Sequence, residues 1–252
     1  MSYKNLVSRN KYIIPKKLQQ KIKKCKIFLL GCGLGSQVGL LAVRSGFVNF
    51  ILVDGDKVTL DNLNRQAFRY EHLGKNKAEA LASMLKDVNP KVNVEYYPIF
   101  LKEKKLAKEL VDKSDVVVNM ADPDEIMYFV NDYAQETGKL VFFPLNVLWG
   151  GYVLVFTSDS PKLQEIVGKK IPKGNKFYLT LFQKTFSTFP PRLLKFYKKM
   201  GQKLLKESFL PQLGATTFLN SSIIVGGIIK WLSGKPLKKA PKPIFLDIWE
   251  EI

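Results

Sequence analysis

Gly31, Gly33 and Gly35 follow the apolar run 27–30, and Asp54 closes a second apolar run, 50–53, nineteen residues after Gly35. Glycines where a strand turns into a helix let backbone N–H groups approach phosphate oxygens, and an acid ending the next strand takes a ribose hydroxyl. The chemistry indicated is nucleotide binding by a strand–helix–strand unit. The spacing departs by one residue from the G-x-G-x-x-G pattern, and glycines at a tight turn also serve packing, so the loop alone does not name the ligand. Metal chemistry has little to work with. His72 is the single histidine and lacks a spaced ligand set, and Cys25 and Cys32 form neither a disulfide framework nor a four-cysteine zinc site. Two cysteines of this kind suit a reducing, cytoplasmic setting.

Holding these residues requires strands alternating with helices, and the pattern supplies them. Helical spacing is expected over 35–46 and over 75–88, where Ala78, Leu81, Ala82 and Leu85 make one buried stripe that stops at Asn89-Pro90. Further helices are expected over 103–111 and 124–137, and strands over 92–97, 116–119, 140–143 and 152–156. The fold class is therefore α/β, a doubly wound, Rossmann-like, mainly parallel sheet with helices on both faces. Residues 159–210 break the rhythm with Pro161, Pro172, Pro190 and Pro191, with Phe177, Tyr178, Phe182, Phe186, Phe189, Phe196 and Tyr197, and with a basic helix over 192–206. This basic, aromatic-rich stretch reads as an insertion or lid whose aromatics pack on their own core rather than stack bases. A buried helix over 213–233 and a strand over 244–248 return the chain to the sheet. The expected organisation is an N-terminal helical arm (1–25), a nucleotide-binding core (26–158), the insertion (159–210), and a helix and strand completing the core (211–252).

The chain has 252 residues, 46% apolar and 25% charged, which fits one α/β domain and excludes disordered or collagenous classes. Lys and Arg number 40 against 22 acids, a net charge of +18, of which +12 falls in residues 160–252. Only five of the 40 are Arg, and a lysine excess is weak evidence for nucleic-acid binding. No signal peptide is apparent, and the most apolar stretch, 218–231, carries Asn220, Ser221, Ser222 and Lys230 and is shorter than the ~20 residues of a bilayer span, so no membrane partner is expected.

A more specific pattern follows the glycine loop. Val53-Asp54-Gly55-Asp56-Lys57-Val58, Asp61-Asn62-Leu63-Asn64-Arg65-Gln66, Gly74-Lys75-Asn76-Lys77-Ala78 and Asn89-Pro90 together resemble the ThiF/MoeB/ubiquitin-activating superfamily of adenylating enzymes. The resemblance takes in Ser8-Arg9-Asn10 upstream, Asn119-Met120-Ala121-Asp122 downstream, and the late helix and closing strand. Only residues 159–210 fall outside it.

The resemblance implies attack of a carboxylate on the α-phosphate of ATP with loss of pyrophosphate, a reaction that needs several negative charges neutralised at once. By the same resemblance Arg65 and Lys77 face the triphosphate, Asp122 holds Mg²⁺, Asp54 takes the ribose with Asp56 beside it, and Asn62 and Gln66 fix substrate and phosphate geometry. Arg9 reaches the ATP of a neighbouring protomer, which makes the active unit a homodimer. The chain departs from the family pattern in its glycine loop, one residue shorter than usual, in Asn119 where Asp is usual, and in Pro123 where Asn is common. It lacks the paired C-x-x-C motifs, so no zinc is expected. It also has no cysteine beyond Cys32, so the chemistry should stop at the acyl-adenylate. Candidate carboxylates are the C-terminus of a ubiquitin-like sulfur carrier or a peptide, a small molecule of cofactor biosynthesis, or a tRNA nucleoside in a tRNA-modifying dehydratase. A non-catalytic nucleotide-binding module is the alternative from outside enzymology.

Overall fold

A computed structural model of the protein describes residues 2–187, 190–207 and 210–251; Phe189 lies outside the described residues. Short arm helices α1 (Tyr3–Leu6) and α2 (Lys16–Lys24) precede β1 (Lys26–Leu30), α3 (Gly35–Ser45) and β2 (Asn49–Val53). The chain continues through α4 (Lys77–Val88), β3 (Asn93–Tyr97), α5 (Lys104–Asp112), β4 (Val116–Asn119), α6 (Glu125–Glu136), β5 (Leu140–Val147) and β6 (Gly150–Phe156). It ends with α7 (Leu163–Val167), α8 (Asn175–Thr185), α9 (Pro191–Leu204), α10 (Gly214–Leu232), β7 (Ile244–Asp247) and α11 (Ile248–Glu251).

The strands form one sheet in the order β3-β2-β1-β4-β5-β6-β7, parallel from β3 to β5 and antiparallel at β6 and β7. The central strands are nearly continuous apolar runs because both faces are covered. Ile27, Leu29, Val116 and Val118 join the core beneath α3, α4 and α10, while Phe28, Leu30, Val117 and Val141 join the core beneath α5 to α8. From β1 the chain winds outward to β2 and β3, then returns to β4 on the other side of β1. That reversal opens a crevice at the carboxyl ends of β1 and β4, where open α/β sheets take ligands.

The segment 159–210 is helical for much of its length, and two of its helices, α7 and α8, had no counterpart in the sequence reading. Its aromatics pack inward: Phe177 and Phe182 are buried, with Phe177 edge-on to Phe143 at 6.3 Å and Phe182 edge-on to Tyr152 at 5.3 Å. Helix α10 has 19 residues and the length and composition to cross a membrane, unlike the stretch 218–231 judged too short from sequence. In the structure it packs on α3, β5 and β6, burying Ile224, Val225 and Ile228.

Candidate active site

The strand-to-helix turn after β1 is built around Gly31, at φ 95°, whose N–H donates to the Val53 carbonyl at 2.9 Å. A Cβ at this position would lie 2.8 Å from the Met120 carbonyl oxygen, so the turn needs glycine both for its φ and for the close approach of β4's exit. Gly33 lies under the Gln66 amide, where a Cβ would come within 3.0 Å of Nε2. The backbone N–H groups of Gly33 and Leu34 have no hydrogen-bond partner among the described residues, and they open at the start of α3, the usual seat of a phosphate. Gly35 is buried against the Met120 side chain and serves packing instead.

Asp54 is held in place by the backbone. Its carboxylate accepts N–H bonds from Cys32 at 2.6 Å and from Asp56 at 2.8 Å, and each oxygen keeps a lone pair for a further donor. Burial raises its pKa, opposed by those two amides and by Lys77. Asn76 caps α4 by accepting from Ala78 N–H at 2.8 Å and donates to the Asp54 carbonyl at 2.9 Å, tying the helix that carries Lys77 to the strand that carries Asp54. Lys77, itself buried, reaches Asp56 at 3.0 Å.

Asp122 lies across the crevice, after β4. The N-cap of α6 is Asp124, which accepts from Met127 N–H at 2.7 Å, so Asp122 is left without a hydrogen bond among the described residues. It is open to the cavity, yet enough protein surrounds it that burial raises its pKa, with a further rise from the Asp56 charge and a counteracting pull from Lys77. Asn119 is fully buried, donates to the Met127 carbonyl at 2.9 Å, and leaves its Oδ1 without a partner.

The connection 54–76 folds on itself. Thr59 and Asn62 cap each other, Asn62 donates to Asp61 at 3.2 Å, and Arg65 Nη1 donates to the Asp61 carbonyl at 2.7 Å and to Asn64 Oδ1 at 2.8 Å. The guanidinium is thereby aimed with its charge unpaired. Ala67 N–H donates to Ser36 Oγ at 2.8 Å, pinning this connection to the start of α3.

Gly31, Gly33, Asp54, Asp56, Arg65, Gln66, Lys77 and Asp122 all line one cavity of about 730 Å³, within the range of nucleotide and cofactor sites. Asn62 is buried in its own loop and does not line it. Arg9 is exposed at the other end of α3: the adjacent Asn10 donates to the Ser45 carbonyl at 3.2 Å, and Tyr3 donates to the Gly46 carbonyl at 2.9 Å. That is one helix length, about 16 Å, from the glycine loop. Both thiols are buried; Cys25 is pushed up to about 12 by burial and then by Asp115, and burial likewise pushes Cys32 up. Among the wall residues that the sequence reading missed are Phe100, Asn146, Tyr178 and Gln212. Asn146 carried a signal, a polar residue interrupting an apolar run; the others had none.

Fold and site together define a doubly wound α/β protein with a cavity at the switch point of its sheet, lined by Arg65 and Lys77 as well as by Asp54, Asp56 and Asp122. A model of the ThiF family matches residues 7–252, and the chain belongs to that family. It is 34% identical over 140 residues to the sulfur carrier protein adenylyltransferase of Thermus thermophilus, covering 55% of this chain and 51% of that protein. It is 33% identical over 165 residues to the molybdopterin-synthase adenylyltransferase of Haemophilus influenzae, covering 63% of this chain and 68% of that protein. The adenylyltransferase and sulfurtransferase UBA4 of Lodderomyces elongisporus matches at 34% over 135 residues, 51% of this chain and 30% of that protein. The chain thus spans about half the length, or less, of the first curated relatives it matches. Its fold is shared with the microcin C7 biosynthetic enzyme MccB in complex with N-formylated MccA, at TM-score 0.71 and 22% identity over 97% of this chain and 70% of that one. It is shared also with PaaA, at TM-score 0.68 and 20% identity over 98% of this chain and 76% of that one.

Proposed function

We propose that this chain is an ATP-dependent adenylyltransferase that activates a carboxylate as an acyl-adenylate and releases pyrophosphate. The observation that carries the reading is the convergence of open loop amides, Arg65, Lys77 and Asp122 on one cavity. In the reaction a carboxylate oxygen forms a bond to the α-phosphorus as the bond to the bridging oxygen breaks, and pyrophosphate leaves with that oxygen. The nucleophile is already ionised at neutral pH, so no base is needed; charge neutralisation is. Lys77, mostly shielded from water, and Arg65, with no carboxylate partner, supply it, while Asp54 takes the ribose and Gln66 bridges loop and substrate.

Asp122 suits Mg²⁺: it is a hard oxygen donor without a hydrogen bond, beside Asp56, and Mg²⁺ is usually bound by one or two carboxylates plus phosphate oxygens. Among the described residues no group of three or more ligating side chains stands ready for a metal on its own, so the triphosphate would complete the set. When bound, the ion adds charge neutralisation at the phosphates.

The substrate is the C-terminus of a ubiquitin-like sulfur carrier or a peptide, or a small-molecule carboxylate; the relatives named for sulfur carrier protein and molybdopterin synthase support the first. Arg9 serves the site of a partner protomer in a homodimer. The support is its place a helix length from its own chain's cavity. Two buried, unpaired thiols support a cytosolic setting. The test is carboxylate-dependent exchange of labelled pyrophosphate into ATP, screened over Gly-Gly-ending carriers, peptides and small acids; ATP binding without exchange for any of them would point to a non-catalytic nucleotide-binding module.

A further inference from the structure

On the far side of β4 from the glycine loop, four side chains that the preceding mechanism does not use form a hydrogen-bonded chain: Asn220, Asn146, Thr217 and Gln212. Asn220 and Thr217 are on α10, Asn146 is near the end of β5, and the first three are buried. Asn220 Nδ2 donates to the Leu145 carbonyl at 2.8 Å and to Asn146 Oδ1 at 2.8 Å. A backbone carbonyl only accepts, so this bond fixes which end of the Asn220 amide faces Leu145. Asn146 must then offer its oxygen to Asn220 and its Nδ2 hydrogens to Thr217 Oγ1 at 2.7 Å and Gln212 Oε1 at 3.2 Å. Thr217 gives its own hydrogen to the Leu213 carbonyl at 3.4 Å, which leaves its oxygen free to accept.

The orientation passes along the chain to its last member. Gln212 turns its oxygen inward, so its Nε2, which has no partner among the described residues, faces outward with two N–H donors. Gln212 lines the cavity. Two residues on, Gly214 is seated so closely on the connection 54–76 that a Cβ there would lie 2.7 Å from the Asn64 carbonyl oxygen and 3.8 Å from Arg65 Cα. The stretch that carries Gln212 thus abuts the connection 54–76, and Gln212 and Arg65 line the same cavity. Gln212 itself is exposed, and the buried relay behind it, anchored on the backbone, favours the orientation that leaves the amide donor facing out.

We propose that Gln212 binds the acyl oxygen of the carboxylate substrate, and that Asn146, Thr217 and Asn220 are positioning residues that keep its amide donor-side out. This rests on the reading of the chain as an acyl-adenylate-forming enzyme. A neutral donor fits the task. A cation paired with the attacking carboxylate would hold its charge and blunt its attack, whereas an amide orients one oxygen at a smaller cost to the other. The same donor serves the carbonyl of the acyl-adenylate once the bond has formed.

The experiment compares binding of AMP with binding of glycyl-sulfamoyl adenosine, a stable mimic of an acyl-adenylate, by calorimetry on the full chain. Wild type should bind the glycyl compound more tightly than AMP. Gln212→Leu and Gln212→Glu should lower that preference by about tenfold, the range of one neutral hydrogen bond, with AMP affinity held within twofold. Asn220→Leu is close in volume and has no donor for Leu145; it should lower the preference about threefold in the wild-type background and not at all in Gln212→Leu, which a purely structural role would not produce. An unchanged preference in Gln212→Leu, or an Asn220→Leu effect that persists there, overturns the assignment while leaving nucleotide activation intact. Failure of wild type to bind AMP, ATP or the mimic overturns the proposed function together with it.

Discussion

Around the ends of β1 and β4 buried polar atoms are left without partners, whereas between β6 and α8 they bond each other. Asn119 Oδ1 and Gln66 Oε1 are buried without a hydrogen bond and Asp122 stands free, all on the wall of one cavity. Behind β6, Tyr152 and Thr185 of α8 bond each other at 2.7 Å with Phe182 edge-on to the Tyr152 ring, and Asn175 at the start of α8 donates to the Leu204 carbonyl at 2.8 Å. A buried polar atom without a partner costs about 1–3 kcal/mol, so a ligand that meets it recovers that cost. The lesson is that the richer-looking sequence, basic and aromatic, packs most of its aromatics inward and lends the cavity Gly174, Asn175, Tyr178 and Leu210, while the plainer one made most of the wall.

The sharpest break between the two regions is thermodynamic. Phe177→Ala removes a fully buried ring and should cost about 3–5 kcal/mol of stability by urea unfolding, while ATP affinity of the folded protein stays within a few-fold. Truncations on the cavity wall should behave in the opposite way. Asp122→Ala, Arg65→Ala and Lys77→Ala should each slow pyrophosphate exchange by ~10² or more, at a stability change below about 1 kcal/mol for the two outward-facing residues. Wild-type exchange in Asp122→Ala would remove the assignment.

Arg9 extends the comparison across a second subunit. Arg9→Ala and Asp122→Ala chains should each be inactive alone, and an equimolar mixture should regain about a quarter of wild-type exchange, because half the dimers are mixed and each has one intact site. A dead mixture containing demonstrable heterodimers would show that Arg9 does not act in trans.

A smaller effect belongs to α6 where it meets α7. Asp132 is raised to about 6, first by burial, with Lys162 pulling down and Glu136 and Glu165 pushing up. The folded state therefore binds a proton that the unfolded chain has released, and this group's contribution to stability falls as pH rises from about 4 to about 6, then levels. Asp132→Asn should stabilise the protein by about 1 kcal/mol at pH 7, and by much less at pH 4, in paired denaturation curves. The least effect is expected at the cysteines: Cys25→Ala with Cys32→Ala should keep exchange within a few-fold, and intact mass after turnover should show no hydroxylamine-sensitive adduct on wild type.

The nucleotide half of the molecule was legible because its signals are local. An apolar run, a glycine turn and a terminal acid fix β1, α3 and Asp54 within a short stretch, and the spacing of Arg65, Lys77 and Asp122 carried the resemblance. The legibility failed where a residue's task is set by distant partners. Asn62 caps its own turn, and Gly35 packs on Met120. β5 was expected over 140–143, but it runs through Pro144 to Val147 in pairing with β6, and so delivers Asn146 to the wall. Helix α8 has its buried stripe at Phe177, Leu181, Phe182 and Thr185, a helical spacing lost among the lysines and prolines around it.

The seating of Gly214 on the Asn64 carbonyl carries a consequence for how the molecule is made. Residues from Leu30 to Gln212 share one wall, so during synthesis the glycine loop, Arg65 and Lys77 emerge from the ribosome long before Gln212 and the helix behind it. A nascent chain halted before α10 would leave Asn146 without Thr217 and Asn220, its partners on that helix, while Arg65 keeps its bonds within 61–65. Competence arrives late and all at once, when the last long helix docks.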